Sequence, residues 1–186
     1  VSVAKSGVIG QICDVEACFT RLTREDMREM RDVNYGGGFT EFGSYTLLPI
    51  IKLLGTNYQE VRFDSIKGEN GIDLYTKASF SYEDGFALSK TGLGVKSEGQ
   101  LIVAGTQGYI LAKSPWWLTK SFEVRYEDST KIEQYSTKFL GYGLRYEISD
   151  FAHMINGNGM RAYKLTRGES IAMAGIMEIF LEKRKP

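Results

Sequence analysis

Between Tyr58 and Tyr126 the chain reads as short alternating runs separated by tight turns, a pattern that demands a sheet. Tyr58–Ile66 alternates first. Ile72–Tyr82 alternates along its length, with Leu74, Thr76, Ala78 and Phe80 on one face and Tyr75, Lys77, Ser79 and Ser81 on the other. Asp84-Gly85 is a hairpin signal leading into Phe86–Val95. Leu101–Ala104 and Tyr109–Ala112 flank a second hairpin at 105–108, and Ser121–Tyr126 alternates again. Five or six consecutive strands joined this tightly must run mostly antiparallel. Upstream, residues 9–21 alternate imperfectly, with Ile12, Val15 and Phe19 as the expected packers.

Helical signals bracket this sheet. A charged stretch at 24–31 suits one or two helical turns. Gly36-Gly37-Gly38 then opens a nearly apolar segment that ends on Gly55, and its first polar groups are Thr40, Glu41, Ser44, Tyr45 and Thr46. Leu140, Leu144, Ile148, Phe151 and Ile155 keep the helical period, with a start near Gly143, Gly157 as the terminator and Gly157-Asn158-Gly159 as a loop tip. Thr166 to Glu169 fits a capping box, followed by an apolar stripe of Met173, Ile176, Met177, Phe180 and Leu181. The expected fold is therefore α+β: a largely antiparallel, mixed sheet in one domain over 1–186, with helices on one face. The other face, which includes Tyr75, is left open for a second subunit and a homo-oligomer.

Composition excludes several functions. Lys plus Arg and Asp plus Glu both number 23, so no excess of positive charge invites nucleic acid or an anionic membrane. Lys183-Arg184-Lys185 reads as cations at a helix C-terminus, where they offset the macrodipole. No apolar run is long enough to span a bilayer, and no signal peptide is evident at the start. Cys13 and Cys18 fall on opposite strand faces, so they are not expected to pair, and the lone His153 has no metal-binding company. No metal is expected, and the cytoplasm is the expected compartment.

The chemistry-bearing residues gather at the glycine loop and its helix. Glu41 and Tyr45, four apart, share a helical face. Pro49, four residues after Tyr45, lacks an N–H and crowds the preceding turn, so a kink or restart is expected near Tyr45. That disruption would shape a pocket; the alternative is that Pro49 opens a second short helix and Tyr45 is core. A tyrosine hydroxyl can act as a general acid when a cation lies near, and Arg28 and Arg31 precede the loop closely enough to serve. Either arginine alone also suits a solvated turn. Gly36-Gly37-Gly38 and Gly92-Leu93-Gly94 match no dinucleotide fingerprint or P-loop and read as turns of close backbone approach. Pro115-Trp116-Trp117 either stacks on a sugar or nicotinamide ring or seals the end of the sheet.

The helix motif Gly36-Gly37-Gly38-Phe39-Thr40-Glu41-Phe42-Gly43-Ser44-Tyr45 has companions in order: Gly7-Val8-Ile9-Gly10-Gln11-Ile12, the Gly99–Gly108 hairpin, and Leu144–Phe151. This ordered set resembles the C-terminal domain of the glucose–fructose oxidoreductase, inositol dehydrogenase and rhizopine-catabolism (Gfo/Idh/MocA) family across essentially the whole chain. The resemblance implies an NAD(P)-dependent oxidoreductase, with NAD or NADP held by an N-terminal Rossmann domain and a hydride exchanged with a sugar, cyclitol or diol. Tyr45 takes the place of the family's acid–base His or Tyr, and Glu41 the place of its helix acid. Arg28, Arg31, Tyr35 and Trp117 are further pocket candidates.

Two departures are evident. Glu41 stands where the family usually has aspartate, which moves the carboxylate by roughly one C–C bond, about 1.5 Å. No Glu-Lys-Pro motif occurs, and the family-like residues begin within ten positions of Val1, so the Rossmann half is expected to be absent and the chain inactive alone. A non-catalytic binding or assembly module that kept the fold is the alternative reading. A stand-alone carbohydrate-binding domain using Trp116 and Trp117 is a third.

Overall fold

The structure, a computed structural model, describes residues 1–141, 143–157 and 164–184. Asn158, Gly159 and Lys185 of the sequence reading lie outside them. Eight strands form one mixed sheet: β1 (Ile12–Thr20), β2 (Glu60–Lys67), β3 (Asp73–Ser81), β4 (Phe86–Gly92), β5 (Leu101–Gly105), β6 (Gly108–Ala112), β7 (Ser121–Arg125) and β8 (Ile132–Ser136). Their spatial order is β2-β3-β4-β1-β5-β6-β7-β8. The expected antiparallel hairpins are present, but they form two groups. β1 lies between them, parallel to β4 and antiparallel to β5. Sequence order gives no signal of this insertion, because alternation reports which face a residue occupies and not which strand is its neighbour. β8 was not foreseen; its half-exposed run is too polar to stand out.

The imperfect alternation of β1 has a physical cause. The pairing register shifts between Ile12 and Asp14, a bulge that turns Ile12 toward the core side with Val15 and Phe19. Cys13 and Cys18 are free thiols.

Among the described residues five α-helices accompany the sheet: α1 (Ser2–Lys5), α2 (Arg28–Arg31), α3 (Gly38–Leu54), α4 (Leu144–Asn156) and α5 (Arg167–Arg184). The core lies between α3 and one sheet face. Phe39, Leu47, Ile50 and Ile51 of α3 meet Val15, Ala78, Phe80, Ala87 and Val103, and α5 adds Ile176 and Phe180. A fully buried hydrogen bond of 2.6 Å joins Thr46 of α3 to Ser89 of β4, which fixes the helix along the strand as well as against it. The capping box forms at the start of α5: Thr166 N–H donates to Glu169 Oε2 at 2.7 Å, and Glu169 N–H donates to Thr166 Oγ1 at 3.2 Å. Lys52 of α3 donates to the same Glu169 carboxylate at 2.6 Å, tying the two helices together.

Two expectations are corrected. α3 is continuous through Pro49, without a restart at Tyr45; core packing of Leu47, Pro49, Ile50 and Ile51 holds the second half of the helix in line despite the missing N–H. α4 keeps its apolar period but buries nothing: Leu144, Ile148, Phe151 and Ile155 are all exposed. No helix among the described residues is long and apolar enough to cross a membrane.

Candidate functional site

The start of α3 is set by its glycine loop. Gly37 takes φ 110° and ψ 156°, a conformation open almost only to glycine. A Cβ there would lie 2.0 Å from Asp73 Oδ1, and one on Gly38 would lie 3.1 Å from Gly92 Cα. The loop is thus pressed against β3 and β4 at contact distance. Asp73, almost fully buried, accepts the Phe39 N–H at 2.7 Å and the Thr76 hydroxyl at 2.9 Å through Oδ2. Burial pushes the Asp73 carboxyl above its ordinary range; the Phe39 and Thr76 bonds and the Arg184 guanidinium oppose that rise. Arg184 donates to the carbonyls of Gly36 and Val33, each at 2.6 Å. It therefore does more than offset the dipole of α5: it clamps the loop that aims α3. Neither Asp73 nor Arg184 shows this role in the sequence, since 34 and 148 residues separate them from their partners.

So aimed, α3 carries Glu41 and Tyr45 past the C-terminal end of β1. Glu41 Oε2 lies 3.5 Å from Arg28 Nη2 of α2, in a partly exposed pair. Such a pair contributes little stability but fixes where the carboxylate points. Tyr45 is 50 % exposed, and its ring meets the edge of Phe19 at 5.1 Å. Phe19, near the end of β1, stands between two stacked rings, Phe42 of α3 at 4.2 Å and Trp117 at 3.8 Å. The 3-10 turn Trp116–Leu118 is held by Trp116 Nε1–H, which donates to the Cys18 carbonyl at 2.9 Å. The tryptophan pair therefore closes the end of the sheet while Trp117 faces the Tyr45 side through Phe19.

The loop after β4 is fastened to the same place. Ser97 N–H donates to Thr20 Oγ1 at 2.9 Å, and the Thr20 hydroxyl donates back to the Ser97 carbonyl at 3.0 Å. The end of β1 thus gathers the 115–117 turn and the 96–97 loop around one open cavity, which no residue of α3 lines.

Of the sequence candidates, Glu41, Tyr45, Arg28 and Trp117 come together around Phe19 and α3. Arg31 and Tyr35 do not join them. Arg31 Nε donates to the Glu25 carbonyl at 3.1 Å, tying its own loop. Tyr35 is 70 % exposed and lines a separate cavity of about 820 Å³ beside Lys67, Glu178 and Arg184. Phe42 and the ring side of Phe19 were missed as site residues because an apolar aromatic in an apolar run reads as core.

The N-terminus of α3 is not a phosphate cradle. Its Phe39 N–H already serves the Asp73 carboxylate, and Gly37 fits against that carboxylate with no space between. Among the described residues no group of three or more His, Cys, Asp or Glu side chains is placed to hold a metal.

No protein-family profile and no curated protein sequence matches the chain. Its fold, however, is found in solved oxidoreductases. A 3-ketoreductase from Actinomadura kijaniata, in complex with TDP-benzene and NADP, superimposes with a TM-score of 0.73 at 17% identity, over 93% of this chain and 54% of that one. UDP-N-acetylglucosamine 3-dehydrogenase from Acidithiobacillus ferrooxidans gives 0.71 at 14% identity, over 96% of this chain and 55% of that one. The chain spans about half the length of these structures. The chain thus shares its fold with about half of each of these two oxidoreductases.

Proposed function

We propose that this chain is the substrate-binding and oligomerisation half of an NAD(P)-dependent oxidoreductase acting on a sugar, cyclitol or diol, and that it is inactive alone. The observation that carries the reading is the cluster at the end of β1 formed by Glu41 with Arg28, by Tyr45 against Phe19, and by the Phe42–Phe19–Trp117 stack. A half-exposed phenol whose ring rests on the edge of Phe19, and whose hydroxyl has no hydrogen bond among the described residues, suits proton exchange with a substrate hydroxyl. Glu41, held by Arg28, suits a substrate hydroxyl donor. Trp117, half-buried and backed by Phe19, offers an apolar wall that a sugar ring packs against.

The dinucleotide, when bound by the companion half, would supply or accept the hydride. The N-terminus of α3 is taken up by the Asp73 carboxylate, which supports a share limited to binding, orienting and exchanging the proton. The choice of NAD or NADP rests with that other half. The solved neighbours support this reading because one is a complex with NADP and the other is named as a dehydrogenase of a nucleotide sugar.

The sheet face away from α3 carries Tyr75, Lys77, Leu88, Lys90, Ile102 and Leu111, and we propose it as the homo-oligomer interface. Light scattering that finds a monomer at high micromolar concentration removes this part. Free Cys13 and Cys18 suit a reducing compartment, and the cytoplasm is the proposed location. The catalytic part is tested by turnover of the full-length gene product carrying Tyr45→Phe. Loss of a general acid–base group lowers kcat about 10²–10⁴-fold. Undiminished hydride transfer removes Tyr45 from the mechanism.

A further inference from the structure

α4 turns its apolar side away from the core. Leu144, Ile148, Phe151 and Ile155 form one helical stripe, and each is between 61 % and 66 % exposed. At a rise of about 1.5 Å per residue the stripe runs about 17 Å. Across from it stands Leu48 of α3, also exposed. Leu48, Leu144, Ile148, Phe151, Met154 and Leu165 line a groove of about 640 Å³ between the two helices. Lys164 pairs with Asp150 of α4, which fastens the segment entering α5 to the groove's edge. Apolar side chains scattered singly on a surface are ordinary, but a continuous apolar groove with a charged margin marks a contact with another protein body.

The place of the groove says which body. Glu41, Tyr45 and Leu48 stand at i, i+4 and i+7 of α3, so one outer stripe of that helix carries both the candidate acid–base pair and one wall of the groove. Leu48 lies about 4.5 Å along the helix axis from Tyr45, less than one turn. Hydride transfer at Tyr45 needs a dinucleotide brought to this stripe and water kept from it, so the body that carries the dinucleotide must close over the outer side of α3. The two solved oxidoreductases extend well past the shared fold, which accounts for 54% and 55% of their chains, and the first of them holds NADP. A second copy is already served elsewhere: the open sheet face proposed for self-association lies across the core from α3 and does not include α4.

We infer that the groove between α3 and α4 is the docking surface for the dinucleotide-binding half, with an apolar element of that half seated against Leu48, Ile148 and Phe151. This rests on the substrate-half reading above and adds where the two halves meet. Filling the groove buries the α4 stripe and brings the docked half within a helical turn of Tyr45.

The test is photo-crosslinking in the full-length gene product. Benzoylphenylalanine placed at position 151 keeps an apolar aromatic group in the groove and captures whatever packs against it. Mixing unlabelled with isotope-labelled protein separates links within one chain from links between two. The expected product is a link within one chain to its dinucleotide-binding half, identified by mass spectrometry. Hydrogen exchange gives a second reading. Ile148→Asp alters an exposed position and leaves the core of this half untouched, yet it should speed exchange of the α4 amides about tenfold or more by loosening the docked half, whereas Ile148→Leu should not. A link to a second copy, a link confined to residues 1–186 of the same chain, or no link at all overturns the inference, and so does exchange unchanged in Ile148→Asp. None of these results touches the role of Tyr45. The substrate-half reading fails separately, through undiminished turnover by Tyr45→Phe.

Discussion

Gly37→Ala strikes the point on which the aim of α3 depends. At φ 110° and ψ 156° an alanine is strained by about 1–3 kcal/mol. Its Cβ would also lie 2.0 Å from Asp73 Oδ1, so the carboxylate must leave its place. That breaks the 2.7 Å bond from Phe39 N–H, a buried bond to a charged group, for about a further 1.5–3 kcal/mol. The sum, about 2.5–6 kcal/mol, is a large part of the 5–15 kcal/mol typical of a domain. With an m-value of about 2 kcal/mol/M the urea midpoint should fall by about 1.2–3 M. In an Asp73→Ala background the clash is gone, and Gly37→Ala should then cost only its strain. The double-mutant cycle should accordingly show a coupling of about 1.5–3 kcal/mol. A single-variant loss below about 1 kcal/mol, or no coupling to Asp73, refutes the argument that close approach to this carboxylate dictates the glycine.

Three further outcomes are expected. Phe19→Ala removes the ring between Phe42 and Trp117 and should cost about 3–5 kcal/mol, with red-shifted tryptophan emission; unchanged emission would mean Trp117 is not held by that stack. Thr166→Ala should lower stability by about 1 kcal/mol in chemical denaturation, because the N-cap of α5 is lost. The third concerns pH. The folded Asp73 carboxyl titrates above its unfolded value, so its stabilising contribution is full below the unfolded pKa and is lost as pH rises through the folded one. Stability measured from neutral pH downward should therefore move in favour of the wild type relative to Asp73→Asn, whose amide does not titrate; a difference moving the other way contradicts the raised pKa.

Much of the sheet was legible because alternation and turn residues are local. Asp84-Gly85 and the 105–108 hairpin specify their own strand pairs. The place of β1 was not legible, since parallel pairing with β4 joins residues far apart and leaves no mark on either segment. The same distinction divides the site. Glu41 and Tyr45 could be placed on one helical face from their spacing, whereas Arg28, expected as the cation beside Tyr45, pairs with Glu41 instead. Asp73 and Arg184 act through contacts made only by folding, and each resembles an ordinary strand or helix-end residue when read alone. Pro49 shows the opposite error: a strong local signal for a break was outweighed by burial of the residues around it.

The central claim is that the Glu41–Tyr45 face of α3 meets the substrate. Its most direct measurement is a crystal structure of the full-length gene product with the sugar or polyol it oxidises or reduces. The account predicts a substrate oxygen within hydrogen-bond reach of Tyr45 Oη, about 2.6–3.2 Å, with the sugar ring beside Phe19 and Trp117. A substrate seated elsewhere, with Tyr45 open to solvent, would contradict it.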